Sequence, residues 1–183
     1  PPSLVPRRAQ ITISTRNNPL AAHELEEAKR LMKACLKGKV DAALTALRNG
    51  ARLDYMLGEL EETTDNSMVS GWGPPALLFA ALIPDGNALV SELLAFGADP
   101  NQRWTYQGDW DPEDCYMDTD EVGVSTVLEQ LSDQGHSPYL DTWAKGQNQL
   151  KDLGFKRKNG HLKLRAVDKE SMASIRAALG EDT

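Results

Sequence analysis

The sequence predicts an all-α helical solenoid with extended loops between its repeats and a C-terminal hairpin-plus-helix cap. Three observations carry that expectation. Apolar residues return at helical spacing in paired segments, each pair closed by glycine; the pairs recur along the chain; and the composition, 40% apolar, can fill a core. The length of 183 residues suits one domain or a short repeat array.

The elements follow in order. Residues 1–18 read as an N-terminal arm, in which Leu4-Val5-Pro6-Arg7 resembles part of a protease-cleavage tag and Gln10–Ser14 alternates like a short strand. Residues 19–183 form the repeat domain and its cap. Asn18-Pro19 opens a helix through Leu25, Ala28, Leu31, Met32 and Cys35, stopped by Gly38. Val40–Arg48 makes a second helix, closed by Asn49-Gly50. Pro74-Pro75 starts a third through Ala81, and Leu89–Leu94 a fourth, ended by Gly97. A weaker copy begins at Gly123, with one helix through Leu131 and another over Tyr139–Leu153. Asn159-Gly160 between Phe155–Lys158 and His161–Arg165 signals a tight hairpin, and Asp168 caps a last helix carrying Met172, Ile175 and Leu179.

Gly73-Pro74-Pro75-Ala76-Leu77-Leu78-Phe79-Ala80-Ala81 and Val90-Ser91-Glu92-Leu93-Leu94-Ala95-Phe96-Gly97-Ala98-Asp99-Pro100-Asn101 resemble the two halves of an ankyrin repeat. The resemblance covers residues 31–155 and is most specific over 89–101. The Thr-Pro-Leu-His turn of the family is missing, with Pro75-Ala76-Leu77-Leu78 in its place. Membership of that family implies stacked helix pairs and non-enzymatic protein recognition.

Two long inserts interrupt the pattern. Tyr55–Trp72 carries Glu59, Glu61, Glu62 and Asp65; Asp109–Glu121 carries Asp109, Asp111, Glu113, Asp114, Asp118, Asp120 and Glu121; neither holds a Lys or Arg. The net charge is −7, smaller in size than the charge of these inserts together, so the remainder is net positive. Much of that positive charge lies in Lys151–Lys169. Three of the four Trp (Trp72, Trp104, Trp110) sit in or beside the inserts, with Tyr55, Tyr106 and Tyr116. Trp and Tyr give rigid contact area, and carboxylates around them steer a basic partner. The expected partner-binding residues are Trp72, Trp104, Tyr106, Asp109, Trp110, Asp111, Glu113, Asp114, Tyr116, Asp118 and Asp120, on a concave side centred on Trp104, Tyr106, Trp110 and Tyr116. The competing expectation is that the aromatics pack the inserts onto the repeats and the acids form a solvated rim.

The expected partner is therefore a protein with a basic surface. One concrete form is an inhibitor or immunity protein of a nucleic-acid-degrading toxin, its carboxylates standing in for phosphates. The alternatives are an adaptor or secreted effector that docks a cellular protein, and a metal-dependent hydrolase using the acidic loop. Asp109, Asp111, Glu113 and Asp120 fall at EF-hand positions, but Asp114 replaces the required glycine and Pro112 intrudes. His23, His136 and His161 are far apart in sequence and predict no metal motif; Lys156-Arg157-Lys158 reads as a solvated face or a phosphate contact. No cofactor, metal or catalytic residue is expected. The acidic balance argues against direct nucleic-acid binding, no apolar run approaches the roughly 18 residues of a membrane span, and two Cys fit a reducing, cytoplasmic setting, with the free protein expected as a monomer.

Overall fold

A computed structural model describes residues 19–57 and 72–181. The N-terminal arm (1–18), the strand expected at Gln10–Ser14 and the acidic residues Glu59, Glu61, Glu62 and Asp65 lie outside the described residues.

The first helices form where the periodicity places them. Helix α1 (Pro19–Lys37) ends at Gly38, whose φ of 70° suits a left-handed turn, and α2 (Val40–Arg48) folds back against it. The guanidinium of Arg165 donates to the carbonyls of Cys35 and Leu36, each at 3.0 Å, beside the Gly38 N–H that the Cys35 carbonyl also accepts, and so reinforces the last turn of α1. Helix α3 (Ala76–Ala80) is buried at all five positions, and α4 (Asn87–Ala95) follows it. Helix α1 packs on α3 and α2 on α4, so the two helical hairpins lie side by side. Small buried residues (Ala34, Ala43, Ala46, Ala80) let the backbones approach.

Beyond α4 the architecture departs from the expected all-α solenoid. The chain is mixed α/β: among the described residues, seven helices accompany two small antiparallel sheets. The segment expected as a long inter-repeat loop is a β-ribbon, with β1 (Arg103–Asp111) antiparallel to β2 (Tyr116–Gly123). Its aromatic and β-branched residues (Trp104, Thr105, Tyr106, Trp110) favour an extended strand. Its carboxylates do not prevent pairing because they face water.

Helix α5 (Val124–Gln134) follows at once. Asn101 Oδ1 accepts the Ser125 hydroxyl at 2.7 Å in the first turn of α5, and Gly123 leaves room for that side chain, since a Cβ there would collide with it. Helix α6 (Pro138–Lys145) is shorter than the expected Tyr139–Leu153: Gly146 closes it, and a 3-10 turn (Asn148–Lys151) continues the chain. Glycine and asparagine are poor helix formers, which accounts for the break. Strands β3 (Lys156–Lys158) and β4 (His161–Lys163) form the predicted hairpin; Asn159 and Gly160 have φ of 53° and 80°, as a type I′ turn requires. Helix α7 (Lys169–Ala178) is capped by Asp168, whose carboxylate accepts the Ser171 N–H at 3.0 Å.

The expected third helix pair does not assemble as a repeat. Helix α5 packs on α3 and α7, and α7 lies against α4, whereas α6 packs on β1 and β4. The C-terminal helix thus takes the place beside α4, and α6 becomes a platform for both ribbons. A single core runs through Leu31, Phe79, Leu89, Leu128, Leu140 and Ile175. No helix among the described residues is long and apolar enough to cross a membrane.

Candidate functional site

The ribbon β1–β2 has a buried root and an exposed tip. At the root Trp104, opposite Val122, is fully buried and meets Trp143 of α6 edge to face, ring centroids 6.3 Å apart. The Gly73 N–H donates to the Thr105 carbonyl at 3.0 Å, and half-buried Trp72 bridges to Thr105 in parallel register. Tyr106 is half-buried and lies on Tyr139, centroids 4.9 Å apart. Burial pushes the Tyr106 hydroxyl pKa above the usual tyrosine value, with smaller contributions from Asp120 and Tyr139.

The register slips between Thr105 and Gln107, an irregularity of the bulge kind that re-aims a strand. Past it, Asp109 stands opposite Asp118, Trp110 opposite Met117 and Asp111 opposite Tyr116. Trp110 is 58% exposed and Tyr116 64% exposed. Asp111 Oδ1 accepts the backbone N–H of Glu113 at 2.8 Å and of Asp114 at 3.4 Å, which folds the turn, and Cys115 closes it with φ of 51°. Arg103 pairs with Glu121 at 3.4 Å. Among the described residues Asp109, Asp111, Glu113, Asp114, Asp118 and Asp120 make no ion pair and are exposed. Like charges directly opposite on a ribbon, as at Asp109 and Asp118, destabilise it.

The expected binding residues therefore divide. Asp109, Trp110, Asp111, Glu113, Asp114, Tyr116, Asp118 and Asp120 gather at the tip. Trp104 is corrected from centre of a surface to core residue, because its indole fills the gap between ribbon and α6. Tyr106 and Trp72 flank the root.

The acids do not assemble an EF-hand. Asp109 and Asp111 lie on β1 and Asp120 on β2, and the Asp111 carboxylate is occupied by turn N–H groups. Among the described residues the only group of three that could hold a metal is elsewhere: one ligand atom each from His136, Asp141 and His161, all within 4.8 Å of one another. His136 follows the left-handed Gly135 that ends α5; Asp141 is in α6; His161 opens β4. His161 Nδ1 lies 2.8 Å from Asp141 Oδ2, and Asp141 Oδ1 accepts the Leu162 N–H at 2.8 Å. The two imidazoles stack at 4.1 Å. Sequence reasoning separated these histidines, and their spacing carries no signal; only the packing of the β3–β4 turn on α6 joins them.

Of the two thiols, Cys35 is buried in α1 and pushed up to about 12 by desolvation, while Cys115 is exposed at the acidic tip. Compared with protein-family models, curated proteins and solved structures, the chain matches none.

Proposed function

We propose that the protein is a non-enzymatic recognition module that grips a basic protein surface with the tip of the β1–β2 ribbon. The observation that carries this reading is that Trp110 and Tyr116, at successive register positions and so on opposite faces of the tip, are each more than half exposed among six exposed carboxylates without ion-pair partners among the described residues. Solubility requires no exposed indole, and fold stability is not served by aspartates facing each other across a ribbon. A tip that carries an exposed ring on each face among carboxylates suits insertion into a cationic surface: the charges raise the encounter rate and set register, and the rings supply the desolvated contact. The resemblance of residues 89–101 to an ankyrin repeat supports the same class of function.

In its narrower form the partner is a nucleic-acid-degrading enzyme, with the tip carboxylates occupying the phosphate positions of its basic cleft. The protein acts as a monomer in a reducing, cytoplasmic setting, where Cys35 and Cys115 stay free thiols.

The test compares wild type with the double variant Trp110→Ala, Asp114→Lys, which spares the Asp111 carboxylate that folds the turn, as immobilised baits for extract of the source cell. Proteins retained by wild type, lost from the variant and released by salt support the reading, with melting temperatures of the two baits equal. Equal capture by both baits overturns it. Inhibition of nucleic-acid cleavage by the captured protein decides for the inhibitor form; capture of a protein without that activity decides for an adaptor.

A further inference from the structure

We propose that His136, Asp141 and His161 form a binding site for a divalent first-row transition-metal ion of the zinc type. Two imidazoles and a carboxylate suit zinc, cobalt or nickel; calcium and magnesium demand oxygen ligands. Tetrahedral coordination at about 2.0–2.1 Å brings ligand atoms about 3.3 Å apart. The three donors lie within 4.8 Å, so closure needs only small side-chain rotations. The freedom is in the right places, with His161 exposed and His136 half-buried.

The surroundings resemble those that orient ligands in metal sites. The Leu162 N–H holds Asp141 Oδ1 and leaves Oδ2 toward the imidazoles. His136 Nδ1 faces the Gln134 carbonyl at 3.4 Å, which favours the tautomer with its Nε2 lone pair free. Ser137, buried between His136 and α6, donates to Gln130 Oε1 at 2.5 Å and fixes the turn that carries His136. An Asp–His hydrogen bond that merely holds β4 on α6 would explain Asp141 and His161. It gives no reason for a second imidazole stacked at 4.1 Å. A metal ion explains all three, and three protein ligands leave a coordination position for water or a partner's side chain.

The experiment uses the full chain with zinc ions in calorimetry and cobalt ions in visible absorption. A single zinc ion should bind per chain with a saturable rise in melting temperature, and cobalt should give the ligand-field bands of a nitrogen-containing site. His136→Gln, His161→Gln and Asp141→Asn should each weaken zinc binding at least about tenfold. Calcium and magnesium should not compete, and His23→Gln, Cys115→Ser and Asp111→Asn should bind as wild type does. His136→Gln is the deciding variant, because it leaves the Asp141 hydrogen bonds intact; circular dichroism confirms its fold. Absence of zinc and cobalt binding, binding that survives His136→Gln, or loss of binding in Cys115→Ser or Asp111→Asn overturns the proposal.

Discussion

The two ribbons of this protein, β1–β2 and β3–β4, have the same topology and opposite character. Each is an antiparallel pair joined by a turn with a residue at positive φ, and each rests on α6. The first is acidic beyond its root, the second basic through Lys156, Arg157, Lys158 and Lys163. An isolated two-stranded ribbon is marginal in water, so each must be tied down. The position of the tie differs. The first is held at its root by Trp104, and its turn projects with Trp110 and Tyr116 uncovered. The second is held at its open end, by Phe155 on Phe79 and Arg165 on the end of α1, and also beside its turn, where His161 and Leu162 meet Asp141. Anchoring at the root alone leaves a probe, whereas anchoring at both ends leaves a clasp.

The largest test contrasts two tryptophans six residues apart. Trp104→Ala should cost about 3–5 kcal/mol in urea unfolding, by loss of buried area and the cavity left behind. Trp110→Ala should change stability by no more than about 0.5 kcal/mol. Trp104→Phe should cost far less than Trp104→Ala, because the Trp104 indole N–H has no hydrogen-bond partner among the described residues to lose. Equal costs for Trp104→Ala and Trp110→Ala would erase the distinction between root and tip.

Next in size is the clasp. Asp141→Ala leaves the Leu162 N–H, held at 2.8 Å in a buried setting, without its acceptor. A buried donor left unpaired costs about 1–3 kcal/mol. Amide exchange at Leu162 should accelerate while exchange at Thr105, in the root of the other ribbon, stays as in wild type. Acceleration at both positions would show that the ribbons open together.

These contrasts also mark what could be read from the chain. Local rules sufficed for α1, α2, the Asn159-Gly160 turn and the Asp168 cap, where each signal acts within a few residues. The β1–β2 ribbon was hidden because its alternation uses carboxylates and aromatics rather than aliphatic residues, and its bulge breaks the period at Tyr106. Helix α7 defeated the repeat logic. Its apolar face through Met172 and Ile175 was legible, but its neighbour α4 lies far back in sequence. At the site, composition located the acidic tip, yet Trp104 and Trp110 are the same residue in similar surroundings. The packing of the ribbon root on α6, where Trp104 meets Trp143, decides which is buried. The histidine pair required tertiary placement.

The smallest expected effect lies at the boundary of root and tip, where Tyr106 meets Asp120. Burial first, then the charge of Asp120, raises the Tyr106 pKa above the ordinary tyrosine value of about 10. A raised folded value means that folding favours the protonated phenol. This contribution to stability is complete below the ordinary tyrosine value and is lost as pH rises through the folded one. Ultraviolet titration of wild type against Tyr106→Phe isolates this hydroxyl. Asp120→Asn should move its titration to lower pH without abolishing the upward displacement, because the larger cause, burial on Tyr139, remains. If Asp120→Asn leaves the titration unchanged, the acidic tip exerts no field on the root, and its charge acts outward only.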